Sequence, residues 1–152
     1  MKKVTILAGL PGSGKSTWCT EHPEYIKVSK DDIREQFGLV EPGKKGIGSP
    51  EQEAVVRNTQ LQAVLSLIGE GKSVVIDDTN ILSGTRKFWI NKIRQTDPEY
   101  RVNLVVVYTP PEICIGRRDG QIPSEIIWKF WNNGDWGFTQ EELNSYDEFI
   151  LL

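Results

Sequence analysis

The sequence predicts an α/β fold in which helices cover both faces of a parallel sheet of about four strands. Three observations predict it: short apolar runs of strand length, helical patterns between them, and glycine or proline at most junctions. Runs that are apolar throughout are typical of parallel strands buried on both faces, and their alternation with helices is typical of α/β folds. With 152 residues, the chain is expected to form one domain, residues 1–152.

The first third of the chain contains two predicted strands, each followed by a helix. Val4–Ala8 is an apolar run of strand length, and Lys15–Glu21 opens a helix that a His-Pro step ends. Tyr25–Val28 predicts a short second strand. Ser29 then fits a helix N-cap, with Asp32 three residues later as the partner in a capping box.

A loop and a long helix are predicted next. Residues 41–49 are rich in glycine and proline and favour an irregular, mobile loop. Ser49 at the cap, Pro50 at the first helical position and Gln52 at the capping-box position mark the start of the helix. Gly69 marks its end.

The second half continues the alternation. Ser73–Ile76 and Val102–Tyr108 predict the third and fourth strands, separated by a helix over Ser83–Thr96. A proline pair at 110–111 precedes a short helix, and Ser124–Asn132 favours another.

A last helix is predicted to begin at Thr139. Thr139 and Glu142 match a capping box, and Phe138 and Leu143 can pack as a hydrophobic staple. No further strand is predicted after this helix.

Composition narrows the classes of function. The net charge of −3 and the pI of about 5.3 give no global basic field, so only a local basic groove could hold nucleic acid. The N-terminal apolar run is too short for a signal peptide, and no stretch reaches the length of a membrane span. Cys19 and Cys114 lack metal-type spacing and are expected to be reduced thiols. We expect a cytoplasmic protein with no membrane partner.

The segment between the first strand and helix predicts a phosphate-binding loop. It matches Gly9-x-x-x-x-Gly14-Lys15-Ser16 in the required strand-then-helix context. Glycines let successive backbone N–H groups surround phosphates, and the helix N-terminus adds positive potential. Lys15 is predicted to reach the β- and γ-phosphates and the Ser16 hydroxyl to bind magnesium. The predicted nucleotide-binding residues are Gly9, Pro11, Gly12, Ser13, Gly14, Lys15, Ser16 and Thr17.

Two further polar motifs fall at the carboxyl edge of the same predicted sheet. In the first, Asp31 and Arg34 lie three residues apart and share a helix face, whereas Asp32 is assigned to the capping box. Asp31 is therefore free to act as a general base beside an arginine that could hold the acceptor. In the second, Asp77 and Asp78 follow an apolar strand, the usual place of a second magnesium-site carboxylate. The residues alone do not choose between them.

Four segments carry a resemblance to a known family. They are Gly9–Trp18, Val28–Arg34, Ser73–Asn80 and, more loosely, Gly116–Ile127. In this order they resemble the kinase domain of the bacteriophage 5′-hydroxyl polynucleotide kinase and its wider phosphate-loop kinase family, to about residue 131. The resemblance implies a parallel sheet of four strands with a short helical lid, ATP as the donor, and transfer of the γ-phosphate to an alcohol.

The resemblance also assigns roles by position. Asp31 resembles the general base and Arg34 the arginine that binds the acceptor's phosphate. Asp78, which directly precedes Thr-Asn, resembles the family's essential strand-end aspartate. Arg117 or Arg118 resembles the lid arginine that clamps the donor phosphates. The lid is shorter than the family's, with one arginine pair followed at once by Asp-Gly, so the choice between the two arginines stays open.

The predicted activity is ATP- and magnesium-dependent phosphorylation of a 5′-hydroxyl end of DNA or RNA. The alternative is a kinase for a small molecule such as a nucleoside, metabolite, antibiotic or sugar nucleotide, since the fold does not decide the substrate. A nucleotide-binding module without catalysis is disfavoured, because it has no use for Asp31 and Arg34 together. Any phosphatase or ligase partner is expected to be a separate protein. The candidate basic residues for nucleic-acid binding are Lys44, Lys45, Arg57, Arg86, Lys87 and Arg94.

Overall fold

A computed structural model describes residues 2–118 and 121–152. Its strands are β1 (Lys3–Ala8), β2 (Ile26–Val28), β3 (Val74–Asp77), β4 (Arg101–Val106) and β5 (Glu148–Leu151). Its helices are α1 (Lys15–Glu21), α2 (Lys30–Gln36), α3 (Pro50–Gly69), α4 (Ser83–Thr96), α5 (Pro111–Arg118), α6 (Ser124–Asn133) and α7 (Gln140–Asn144). Within the described ranges, no helix combines the length and the apolar character that a membrane crossing requires.

The strands form one parallel sheet in the order β2-β3-β1-β4-β5, which confirms the predicted α/β class. The sheet has five strands, one more than the approximate number predicted. β5 was missed because it is a short edge strand: Leu151 is largely exposed, and only pairing with β4, with Asn103 opposite Glu148, makes the segment a strand.

Both faces of the sheet are buried, as the apolar runs predict. In β1, Val4 and Ile6 belong to the cluster that packs against α3 and α4, whereas Leu7 belongs to the cluster around Trp18 of α1. Val75 of β3 joins the second cluster. Successive side chains point to opposite faces of a strand, so each face must be apolar in turn.

Of the three predicted capping boxes, only the one at α3 is complete, with Ser49 and Gln52 bonding reciprocally. At α2 the Ser29 hydroxyl accepts from the Asp32 N–H, but the Asp32 carboxylate pairs with Lys27 at 3.2 Å. At α7 the Glu142 carboxylate binds Arg86. In the tertiary structure each carboxylate pairs with a cationic side chain, because a cation binds a carboxylate more strongly than a backbone N–H does.

Arg86 is fully buried in α4, which corrects its assignment as a surface cation for nucleic acid. Its guanidinium holds Glu142 at 2.7 and 3.0 Å and donates at 3.1 Å to the backbone oxygens of Asn80 and Asp135. It also lies 4.7 Å from the ring centre of Phe138. One side chain thus ties α7 and the segment after α6 to the end of β3.

Arg86→Ala should destabilise the protein by about 3–5 kcal/mol, because removing one partner leaves the largely buried Glu142 carboxylate without its cation. Lys87→Ala is the control: Lys87 is exposed on the same helix, and its loss should change the free energy of unfolding by at most about 0.5 kcal/mol. Urea denaturation of both variants measures this, and equal small losses would contradict it.

Candidate active site

The loop between β1 and α1 has the conformation that its glycines were predicted to allow. Gly12 and Gly14 have φ values of 84° and 115°, where residues with a side chain are strained. A Cβ at Gly9 would lie 2.6 Å from Ser13 Oγ and 2.8 Å from the Val107 carbonyl. The backbone can therefore approach a ligand closely only because these positions are glycine.

The polar groups of this loop suit a polyphosphate. Lys15 Nζ lies over the loop, donating to the carbonyls of Gly9 and Leu10 at 2.9 Å each. Ser16 and Thr17 are exposed in the first turn of α1. Ser13 Oγ is buried and has no hydrogen-bond partner among the described residues. A buried hydroxyl without a partner is costly, and a phosphate oxygen is the kind of acceptor it lacks.

The end of β3 brings two carboxylates to this edge in different environments. Asp78 accepts from the Lys30 N–H at 3.0 Å and from the Gln60 amide. Desolvation raises the pKa of Asp78 to about 6, although both hydrogen bonds oppose the rise. Desolvation also raises the pKa of Asp77, and the nearby Lys15 ammonium opposes it. Asp77 thus faces the phosphate loop, and Asp78 anchors the start of α2.

α2 presents Asp31 and Arg34 together, as the spacing predicted. Arg34 NH1 donates to Asp31 Oδ1 at 3.1 Å, and Lys45 Nζ lies 3.2 Å from Asp31 Oδ2. The Asp31 side chain remains 41% exposed, so one face of its carboxylate stays open to the cleft. Arg34 is itself held by Glu53 of α3 through two hydrogen bonds, at 2.9 and 2.6 Å.

The Arg34–Glu53 pair fixes where the cation stands. The Glu53 carboxylate raises the pKa of Arg34, and Arg34 holds the pKa of Glu53 below its ordinary value. Glu53 Oε2 also accepts from the Gly48 N–H at 3.0 Å, which ties the preceding loop to the pair. Sequence analysis missed Glu53, since nothing local distinguishes it from the other carboxylates that begin α3.

Arg117, at the end of α5, lies over the phosphate loop. Its NH1 donates to the carbonyls of Gly12 and Ser13 at 3.2 and 3.1 Å. Thr109 Oγ1 donates to the same Ser13 carbonyl at 2.8 Å. The Arg118 side chain lies outside the described part of the structure. The short lid therefore brings at least one arginine to the loop.

These groups line one cleft of about 1130 Å³ at the carboxyl edge of the sheet, where ligands of open parallel sheets bind. Its floor is the phosphate loop. Asp31 and Arg34 form one wall, and Arg117 with Ile122 and Pro123 forms another. The predicted site residues that line this cleft are Pro11, Gly12, Ser13, Gly14, Lys15, Ser16, Thr17, Asp31, Arg34, Asp78 and Arg117. Gly9 is not among the lining residues.

Other predicted nucleic-acid contacts lie elsewhere. Arg94 donates to the Ser145 carbonyl at 2.8 Å, away from the cleft. Trp131 and Trp136 pack with Tyr108 in an aromatic cluster. Lys45 is the predicted surface cation that does line the cleft.

Comparison with known families and proteins gives matches over most of the chain. The sequence model of the family described as "AAA domain" matches residues 4–122. A protein named transcription factor bHLH140 from Arabidopsis thaliana is 31% identical over 119 residues, which are 75% of this chain and 11% of that protein. L-seryl-tRNA(Sec) kinase from Methanococcus maripaludis is 26% identical over 143 residues, 86% of this chain and 51% of that kinase.

A putative bifunctional polynucleotide kinase/RNA ligase from Autographa californica nuclear polyhedrosis virus is 27% identical over 96 residues, 58% of this chain and 14% of that protein. The chain thus spans about half or less of each of these relatives. Among solved structures, a chain of the Pnkp1/Rnl/Hen1 RNA repair complex superposes with a TM-score of 0.74 at 23% identity, over 96% of this chain and 46% of that one. A gluconokinase from Sinorhizobium meliloti superposes with a TM-score of 0.56 at 15% identity, over 99% of this chain and 82% of the gluconokinase chain. These likenesses show a shared fold.

Glu53→Gln should lower the free energy of unfolding by about 1–3 kcal/mol at pH 7, because a charge-assisted pair becomes a weaker one. Since the folded-state pKa of Glu53 is lowered, this stabilisation is complete above the ordinary pKa of 4.5 and is lost as the pH falls through the folded-state value. Urea denaturation at pH 7 and at about pH 3 should therefore show a gap between variant and wild type that closes in acid.

Glu51→Gln is the matched control, because Glu51 is exposed in the same first turn of α3. Its effect should stay within about 0.5 kcal/mol at both pH values. A gap for Glu53→Gln of the same size at both pH values would contradict the ion-pair interpretation.

Proposed function

Because the chain belongs to the AAA domain family and has the fold of P-loop kinases, we propose that it is an ATP-dependent kinase that transfers the γ-phosphate to the 5′-hydroxyl end of DNA or RNA. The observation that carries the proposal is the meeting, in one cleft, of the phosphate loop and the Asp31–Arg34 pair. The first suits a triphosphate donor, and the second suits an alcohol acceptor that carries an anion.

ATP fits the donor half. Its phosphates would take the N–H groups of residues 9–17, and Lys15 Nζ would exchange the Gly9 and Leu10 carbonyls for phosphate oxygens. Arg117 lies within reach of the same loop, so it is the proposed lid arginine. Together the two cations would stabilise the charge that builds on the transferring phosphoryl group.

Magnesium fits the edge between α1 and β3. Ser16 and Asp78 are the proposed metal residues, and magnesium would neutralise charge on the donor phosphates. Both carboxylate oxygens of Asp78 already accept hydrogen bonds, so a contact through water suits it better than direct ligation. Asp77, whose carboxylate faces Lys15, is the second carboxylate available at this edge.

The acceptor half would work by general-base catalysis. Asp31 would take the proton of the attacking hydroxyl, whose oxygen then bonds to the γ-phosphorus as ADP leaves. Arg34 would bind a phosphate of the acceptor. The bidentate contact with Glu53 uses Nε and NH2 and leaves NH1 on the side of Asp31, so Arg34 is held in position before the acceptor arrives.

A nucleic-acid end is favoured over a small molecule by the pairing of Asp31 with a fixed cation. A nucleotide acceptor offers a 5′-hydroxyl and a neighbouring phosphate, and the pair has one group for each. The similarity to a viral protein named as a polynucleotide kinase/RNA ligase supports this choice, and a ligase or a phosphatase is proposed as a partner. A small-molecule acceptor remains the alternative, supported by the likeness to a gluconokinase.

The test is transfer of labelled γ-phosphate from ATP. The acceptors are 5′-hydroxyl DNA and RNA oligonucleotides, nucleoside 3′-monophosphates, nucleosides and a panel of small alcohols including gluconate. Label on the oligonucleotides and nucleoside 3′-monophosphates is the expected result. Label only on a sugar acid or another small alcohol would replace the proposal with the alternative.

Asp31→Asn should lower turnover by about 10²–10⁴-fold, the usual contribution of a general base, and leave ATP affinity nearly unchanged. Asp32→Asn is the matched control. Its carboxylate pairs with Lys27 and is half exposed, so it should cost less than about 1 kcal/mol of stability and change turnover only a few-fold. Steady-state kinetics and melting temperatures of both variants test this assignment of the general base. If Asp32→Asn were inactive and Asp31→Asn active, the general base would be Asp32 instead.

A further inference from the structure

A second cavity opens beside the acceptor end of the cleft. Its volume is about 290 Å³, near the lower end for small-molecule sites. It shares four lining residues with the main cleft: Lys30, Asp78, Thr79 and Phe130. Asp31 directly follows Lys30 in the chain. An acceptor that is bound at Asp31 and extends past the start of α2 would therefore enter this cavity.

The lining is chemically mixed in a way that suits a nucleotide unit. Lys30 and Lys129 are its two basic lining residues in the described part of the chain, and neither forms a side-chain ion pair within residues 2–118 and 121–152. Leu82 and Phe130 supply apolar surface, and Leu82 is 46% exposed there. Cations for a phosphate beside apolar groups for a base are the composition that single-stranded nucleic-acid sites use.

Few acidic side chains line the cavity. Asp78 is its one lining carboxylate among the described residues, and both oxygens of that carboxylate already accept hydrogen bonds. The Asp135 carboxylate lies beside this lining, where it accepts from the N–H and the hydroxyl of Ser83, the residue after Leu82. Lys129 is the lining cation that would bind a phosphate on the α6 side. A nucleoside or a small alcohol bound at Asp31 would have nothing to place there.

Resting on the proposed function, we propose that this cavity binds the second nucleotide of a single-stranded polynucleotide acceptor, with Lys129 on its phosphate and Leu82 beside its sugar or base. The site at Asp31 and Arg34 would then handle the terminal nucleotide, and the second cavity would select a strand over a single nucleotide. The preference for a polynucleotide would reside in α4 and α6 rather than in the catalytic residues.

The experiment compares kcat/KM for a 5′-hydroxyl trinucleotide with that for a nucleoside 3′-monophosphate. Wild type should prefer the trinucleotide, and Lys129→Ala should reduce that preference by about ten- to a hundredfold, as expected when one charge-assisted hydrogen bond is lost. Activity on the 3′-monophosphate should stay unchanged. The slope of log KM against log salt for the trinucleotide should fall by about 0.7, the value for one phosphate of a single strand.

Lys72→Ala is the matched control, because Lys72 is exposed just before β3 begins, at the opposite edge of the sheet. It removes the same charge and should leave the preference unchanged. Leu82→Ala gives a second, uncharged test and should also reduce the preference. An equal kcat/KM for both acceptors in wild type, or an equal loss on both in Lys129→Ala, would overturn the inference. Failure to phosphorylate either acceptor would instead overturn the proposed function.

Discussion

The structure depends on the junction between the ends of β1 and β3. Asn80 adopts a φ of 42°, a strained conformation for a residue with a side chain. Its amide donates to the Leu7 carbonyl at 2.7 Å, and its own carbonyl accepts from Arg86 at 3.1 Å. One residue earlier, the Thr79 carbonyl accepts from the Gly9 N–H at 2.9 Å. These bonds fix the phosphate loop against the β3 end that carries the carboxylates.

From this junction, support extends to both halves of the cleft. Asp78 holds the first backbone N–H of α2 and the Gln60 amide of α3, so the helix that presents Asp31 is set by the same strand end. Glu53, two turns before Gln60 on α3, then positions Arg34. The proposed acceptor groups are thus placed by α3 and β3 more than by their own short helix, which suits a site that must hold its geometry before the substrate binds.

Much of the site could be predicted because its signals are local. A phosphate loop needs glycines at fixed intervals and a helix directly after them. The motif formed by Gly9, Gly14, Lys15 and Ser16 meets this requirement within eight residues. The pairing of Asp31 with Arg34 likewise follows from helical spacing. The Arg34–Glu53 ion pair was not predicted, because its partners are distant in sequence. Glu53 is 19 residues from Arg34, and no periodicity links them.

By itself the sequence determined the order of the first four strands and of the helices, the phosphate loop and the edge of the sheet where polar motifs collect, because hydrophobic pattern and backbone sterics act over a few residues. The tertiary structure alone decided which carboxylates meet which cations. The Asp32 and Glu142 carboxylates pair with Lys27 and Arg86 instead of completing their predicted capping boxes. Residues 148–151 form a strand only because they pair with β4. Ion pairs and edge strands need a partner from elsewhere in the chain, and only folding brings that partner near.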